Sequence, residues 1–159
     1  MAVVLIHPFA SAQTAVFVVR HAEKVSETDQ RLSDAGRERA ARLAKMLGAA
    51  GIRAIYATDT ERARDTAAPL AQPLKLPITT YDVGKGEGKP PDASTFVGSL
   101  RRDHPGDAVL VVGHSNTVPE ILKALGCREP ITIAGQQYDD LFIVVPGGSA
   151  GPTLVRLRY

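Results

Sequence analysis

Val16-Phe17-Val18-Val19-Arg20-His21 is the stretch from which the fold is read. Its apolar residues run without alternation and are mostly β-branched, the pattern of a strand covered on both faces within a parallel sheet. A second unbroken run, Val109 to Val112, has the same character and ends on Gly113-His114. Helical and strand patterns alternate around these two runs. Ser33 offers an N-cap to a helix over residues 34–49, where Ala40, Leu43, Ala44 and Leu47 recur at helical spacing before Gly51 stops it. Residues 52–56 read as a strand, and Thr58-Asp59-Thr60 supplies capping oxygens for a helix carrying Arg62, Ala63, Ala67 and Leu70. Pro69, Pro73 and Pro77 are expected to break that helix before a short strand at 78–81. A helix over 94–102, a helix capped by Asn116 with Pro119 in its first turn, and closing strands at 141–145 and 153–159 complete the pattern.

This alternation implies an α/β protein, a three-layer α/β/α sandwich around a mostly parallel sheet. In such sheets ligands bind beyond the carboxyl ends of the strands, and two strands here end on His21 and His114.

The chain has 159 residues, the size of one domain, which the patterns place at 13–159. Apolar residues at 44%, charged residues at 23% and a net charge of +2 mark an ordinary globular composition. Lys and Arg form no basic tract and are not interleaved with aromatics, which argues against a nucleic-acid partner; no integral membrane segment is legible, and oligomeric state is not readable. Cys127 is the only cysteine, which excludes an intrachain disulfide or a cysteine-based metal cluster. Residues 1–12 combine an apolar run with Ala10-Ser11-Ala12, the small-x-small form of a signal-peptidase site. They read as the remnant of a signal peptide, implying a periplasmic or secreted protein, or else as an extra strand or arm of a cytoplasmic one. Residues 83–91, with three glycines, two lysines and two prolines, read as a loop, either a simple connection or a flap over the site.

Arg20-His21, Arg62 and His114-Ser115 each sit at a strand end or in the first turn of the next helix, so the fold can gather them into a phosphate pocket. Guanidinium groups meet phosphoryl oxygens with paired, charge-assisted hydrogen bonds. Backbone N–H groups at a helix start add the positive end of a dipole. With that charge neutralised, a neutral imidazole nitrogen can attack phosphorus in line and form a phosphohistidine that water later hydrolyses.

Arg20-His21-Ala22-Glu23 resembles the Arg-His-Gly-Glu signature of the histidine phosphatase superfamily, which includes phosphoglycerate mutases and small phosphohistidine phosphatases. Further resemblances follow in that family's order: Leu32-Ser33-Asp34-Ala35-Gly36 to its helix start, Tyr56-Ala57-Thr58 with Arg62-Ala63-Arg64-Asp65-Thr66-Ala67 to its second arginine segment, and Val112-Gly113-His114-Ser115 to its second histidine strand. The resemblance implies a phosphoglycerate mutase-like fold and an enzyme, a phosphatase of phosphoric monoesters or phosphoramidates that needs no cofactor or metal. It implies His21 as nucleophile, with Arg20, Arg62 and His114 binding the phosphoryl group; Ser115 is the further phosphate-binding candidate read from the strand-end pocket. Arg62 rather than Arg64 matches the family's arginine. The substrate implied is a phosphorylated small molecule or a phosphoprotein.

Three departures carry weight. Ala22 stands where the family has Gly. Glu27 stands where many mutases have a phosphate-contacting Asn, and its carboxylate would repel phosphate unless Lys24 compensates. The family's acid has no clear counterpart, leaving Asp82 and Glu87 as candidates for the proton donor. Mutase-type phosphoryl transfer and a non-catalytic phosphate- or phosphoprotein-binding module are the alternatives to hydrolysis. A serine hydrolase elbow at Gly113-His114-Ser115-Asn116-Thr117 fails at its last position, and no histidine follows Ser115 to complete a triad.

Overall fold

Strand β1 (Val16–Arg20) is buried along its whole length and feeds both faces of the sheet. Val16 and Val18 join Val109, Val111, Phe142 and Val144 in one apolar layer, whereas Phe17 and Val19 join Leu110, Val112 and Leu141 in the other. The absence of alternation in the sequence thus corresponds to a strand with helices on each side. The computed structural model describes residues 15–82, 92–147 and 150–159, so the expectations placed on 1–12 and 83–91 lie outside the described residues.

The other elements are α1 (Asp34–Leu47), β2 (Ile52–Thr58), α2 (Glu61–Leu74), β3 (Ile78–Tyr81), α3 (Ala93–Asp103), β4 (Ala108–Gly113), α4 (Thr117–Ala124), β5 (Asp140–Val145) and β6 (Thr153–Arg158). The sheet order is β3-β2-β4-β1-β5-β6. β3, β2, β4 and β1 run parallel, while β5 and β6 pair antiparallel at the far side. Leu43, Leu47, Ala63, Ala67 and Leu70 bring α1 and α2 against one face; Phe96, Val97, Leu100, Val118, Ile121 and Leu122 bring α3 and α4 against the other. Each leucine, isoleucine, valine or phenylalanine among them contributes about 1.5–3 kcal/mol on burial. The three-layer α/β sandwich read from the sequence is the observed fold.

Two local expectations are corrected. α2 is not broken at Pro69 or Pro73; both lie inside it, and it ends at Leu74, with Lys75 in the left-handed region at φ 55°. An interior proline costs roughly 3 kcal/mol through its lost N–H and its ring clash. Ala63, Thr66, Ala67, Leu70 and Ala71 form a buried face that holds the helix through both prolines. Asn116 precedes α4 in αR geometry and makes no side-chain cap bond. Thr117 Oγ1 accepts from the His114 N–H at 2.8 Å, which ties the turn before the helix rather than capping it.

Gly36 explains the start of α1. A Cβ at that position would lie 2.1 Å from the Glu23 carbonyl oxygen, so the helix approaches the chain after β1 as only glycine allows. Ser33 caps the helix, its Oγ accepting from the Gly36 N–H at 3.1 Å. The helix is thereby locked beside the segment that carries His21.

Candidate active site

Arg20 is the last residue of β1 and pairs in register with Gly113, the last of β4. The next residue on each strand is therefore a histidine at the same end of the sheet, and the two rings lie 5.2 Å apart, edge to face. A Cβ on Gly113 would come within 2.7 Å of Thr117 Oγ1, displacing the hydroxyl that receives the His114 N–H.

The hydrogen bonds set the tautomers of both rings. His21 Nδ1 lies 2.8 Å from the Ala22 carbonyl oxygen, which can only accept, so Nδ1 carries the proton and Nε2 keeps its lone pair. His114 Nδ1 lies 3.4 Å from Arg62 Nη2, which can only donate, so here Nδ1 is the acceptor and Nε2–H donates to Thr58 Oγ1 at 2.8 Å. Burial, followed by opposing and reinforcing local effects, takes the His21 pKa down to about 3: its backbone bond to Ala22 raises it, and His114, Arg62 and Arg20 lower it. Burial and then the same two arginines bring His114 down to about 4. Both imidazoles are neutral at pH 7.

Thr66 ties the histidine loop to α2. Its Oγ1 accepts from the Ala22 N–H at 2.9 Å and donates to the Arg62 carbonyl at 2.7 Å. Arg62, in the first turn of α2, is thus held in register with His21. Arg20 is 8% exposed, and its Nη1 donates to the carbonyls of Ala134, Gly135 and Gln137 at 2.9–3.1 Å while its guanidinium lies 4.0 Å from the Tyr138 ring centroid. Burial lowers the pKa of both arginines. The Nε atoms of Arg20 and Arg62 are buried without a hydrogen-bond partner, two orphan donors on arginines whose charges act on the His21 ring. An anion is the group that satisfies such a set, since each unmet buried donor otherwise costs about 1–3 kcal/mol.

Arg20, His21, Arg62 and His114 are brought together as the sequence implied. Ser115 follows His114 in the turn before α4, and among the described residues its side chain joins none of the contacts linking those four. Asp82 is exposed and follows Tyr81, which registers with Thr58 in the neighbouring strand, so it stands at the same end of the sheet. Glu87 lies outside the described residues. Arg64 turns outward to Asp59 at 2.7 Å. Lys24 meets Glu27 at 2.7 Å, the compensation that the carboxylate at 27 demands. Glu23 is engaged by Arg39 of α1, with its nearest contact at 2.7 Å.

Tyr138, Thr58, Thr66 and the carbonyls of Ala134, Gly135 and Gln137 were not singled out by sequence. Thr58 and Thr66 lie inside the quoted segments, where their hydroxyls were the available signal. The carbonyls carry none, because any residue supplies a backbone oxygen.

Residues 16–83 match the family model of the histidine phosphatase superfamily, branch 1. Among solved structures, the protein histidine phosphatase SixA in complex with tungstate is similar at 19% identity and TM-score 0.69, over 91% of this chain and 97% of that one. YhfR of Bacillus stearothermophilus is similar at 22% identity and TM-score 0.66, over 91% of this chain and 96% of that one. A mycobacterial glucosyl-3-phosphoglycerate phosphatase complexed with VO3 is similar at 15% identity and TM-score 0.67, over 92% and 98%. No curated protein matches the sequence. The family match spans the His21 strand and the Arg62 helix, and the fold of these solved structures is shared along about nine-tenths of the chain.

Proposed function

We propose that the protein is a phosphatase that hydrolyses a phosphate monoester or phosphoramidate through a phosphohistidine on His21. The observation that carries this reading is the free Nε2 lone pair of His21, fixed by the Nδ1–H bond to Ala22, beside two arginines with unmet Nε–H donors. Arg20 and Arg62 take the non-bridging oxygens of the substrate, and His114 changes partners to join them. The Nε2 lone pair forms the N–P bond as the bond from phosphorus to the leaving group breaks. The leaving group departs with its electron pair and takes up a proton, from Asp82, from Glu87 or from water. Water then attacks phosphorus, the N–P pair returns to Nε2, and inorganic phosphate leaves.

Two proteins of the same fold were solved with the oxyanions tungstate and VO3, which accords with an oxyanion pocket here. Hydrolysis is favoured over mutase-type transfer because similar solved structures that this chain matches over 97–98% of their own length are phosphatases by name. The test is turnover of p-nitrophenyl phosphate by the wild type and by His21→Ala. The wild type should release p-nitrophenol and trap label from a ³²P-substrate on His21. Turnover that survives the substitution would sink the nucleophile, and a wild type that binds phosphate but cleaves nothing across a panel of sugar phosphates, phosphohistidine proteins and aryl esters would leave a binding module. Asp82→Asn should slow alkyl esters more than aryl esters if Asp82 is the donor.

A further inference from the structure

Arg20 is held by a turn whose tip is exposed between two buried side chains, Ile133 and Tyr138. Ala134, Gly135 and Gln136 are exposed, and a Cβ on Gly135 would meet nothing within 4 Å, so packing anchors the two ends of the turn and leaves the tip to other bonds. Three oxygens nevertheless converge on one nitrogen, Arg20 Nη1.

Polar bonds account for that convergence. Gln137 Oε1 accepts from the Ala134 N–H at 3.2 Å, while its own N–H donates to the Ala134 carbonyl at 3.0 Å, closing the turn from both sides. The amide nitrogen of Gln137 donates to Asp140 Oδ2. Asp140 opens β5, is 3% exposed, and receives Arg156 Nε and Nη2 of β6 at 2.7 and 2.8 Å. A buried carboxylate is costly unless paired and hydrogen-bonded, and this one is satisfied by an arginine on one side and the turn on the other. A continuous polar chain therefore runs from β6 through Asp140 and Gln137 to Arg20, with Tyr138 stacked on the guanidinium between them.

We propose that Gln137 and Asp140 are positioning residues: they set the 134–137 carbonyls so that Arg20 spends Nη1 on the protein and presents Nε and Nη2 to the substrate's phosphoryl oxygens. This rests on the phosphatase reading for its substrate but not for its geometry, since any tetrahedral oxyanion samples the same donors. A bidentate guanidinium is sensitive to misplacement, and displacing a positioning group by about 1 Å can cost up to about a hundredfold.

The test reads binding of inorganic phosphate to the full chain by calorimetry, apart from turnover. Gln137→Ala should weaken phosphate about tenfold, and in an Arg20→Ala background the same change should weaken it no further. An unchanged affinity, or an equal loss with Arg20 already removed, overturns the proposal. Should Gln137→Ala fail to fold, Arg156→Met cuts the chain at its outer end on β6. There a loss of a few-fold, absent from the Arg20→Ala background, supports the proposal and no loss overturns it. A wild type that binds phosphate without turning over any ester strikes the proposed function alone; one that binds no phosphate strikes this inference too.

Discussion

The parallel half of the sheet, β3-β2-β4-β1, and the antiparallel edge, β5-β6, contribute to the same pocket by different means. The parallel strands deliver side chains: His21 and His114 follow adjacent strand ends, Thr58 closes β2, and Arg62 begins the next helix. The edge delivers backbone oxygens, through the turn that precedes β5, to an arginine that belongs to β1. Under the proposed function, reaction chemistry would reside in the first and the orientation of Arg20 in the second. The two should come apart experimentally.

The largest expected effect tests that division. His21→Ala should lower turnover of an aryl phosphate by about 10⁴-fold, as removing a covalent nucleophile does. It should leave the dissociation constant for inorganic phosphate within roughly threefold, because the unpartnered donors proposed to take the anion are on Arg20 and Arg62. Arg62→Ala should damage both, with turnover falling on the order of 10²-fold or more from loss of a charge-stabilising donor. A His21→Ala protein that no longer binds phosphate would mean that chemistry and grip are not separable.

The same division explains what could be read beforehand. β1 and β4 were legible because burial on both faces leaves an unbroken apolar run, and Arg20, His21, Arg62 and His114 because local spacing binds each to a strand end or helix start. Pro69 and Pro73 misled because local propensity speaks against them, while the buried face of α2 that outweighs them is a tertiary fact. Tyr138 and the three carbonyls were illegible for another reason. They meet Arg20 from more than a hundred residues away, as the carbonyl separations of 114 to 117 show, the carbonyls through atoms common to every residue type and Tyr138 through its ring.

The next effect disturbs the parallel half without entering the pocket. Gly36→Ala places a methyl 2.1 Å from the Glu23 carbonyl, a backbone atom that cannot swing aside. Overpacking of this kind costs about 1–3 kcal/mol, and α1 or the Glu23 segment must shift to relieve it. Equilibrium urea unfolding should show the loss. A Gly36→Ala protein as stable as the wild type would mean that α1 does not depend on this approach.

Acid sensitivity is smaller per pH unit and assigns itself to single residues. The unfolded chain takes up protons at both histidines as pH falls below about 6.5, whereas the native pocket resists until about 4 at His114 and about 3 at His21. The unfolded state therefore binds more protons in that window, so stability falls as pH falls, by about 1.4 kcal/mol per pH unit for each histidine. His21→Asn should remove one such contribution. Unfolding curves at pH 6.5, 5.5 and 4.5 should be less pH-dependent for His21→Asn than for the wild type, and equal slopes would show that the imidazole is not held neutral.

The smallest effect lies at the rim after β1. Glu27 is exposed and held at 2.7 Å by Lys24, yet its carboxylate still acts on both Arg20 and Arg62. On the proposed reading, a phosphate bound at the arginines is repelled by that negative charge. Glu27→Gln should tighten phosphate by about twofold in low salt, and the gain should disappear near 0.5 M salt, where exposed charges are screened within a few ångströms. Lys24→Gln should do the reverse, because it leaves Glu27 unneutralised. A Glu27→Gln protein with weaker phosphate binding would mean that the carboxylate orders the rim rather than repelling the ligand, and the loop after β1 would then belong with the 134–137 turn as a scaffold for Arg20.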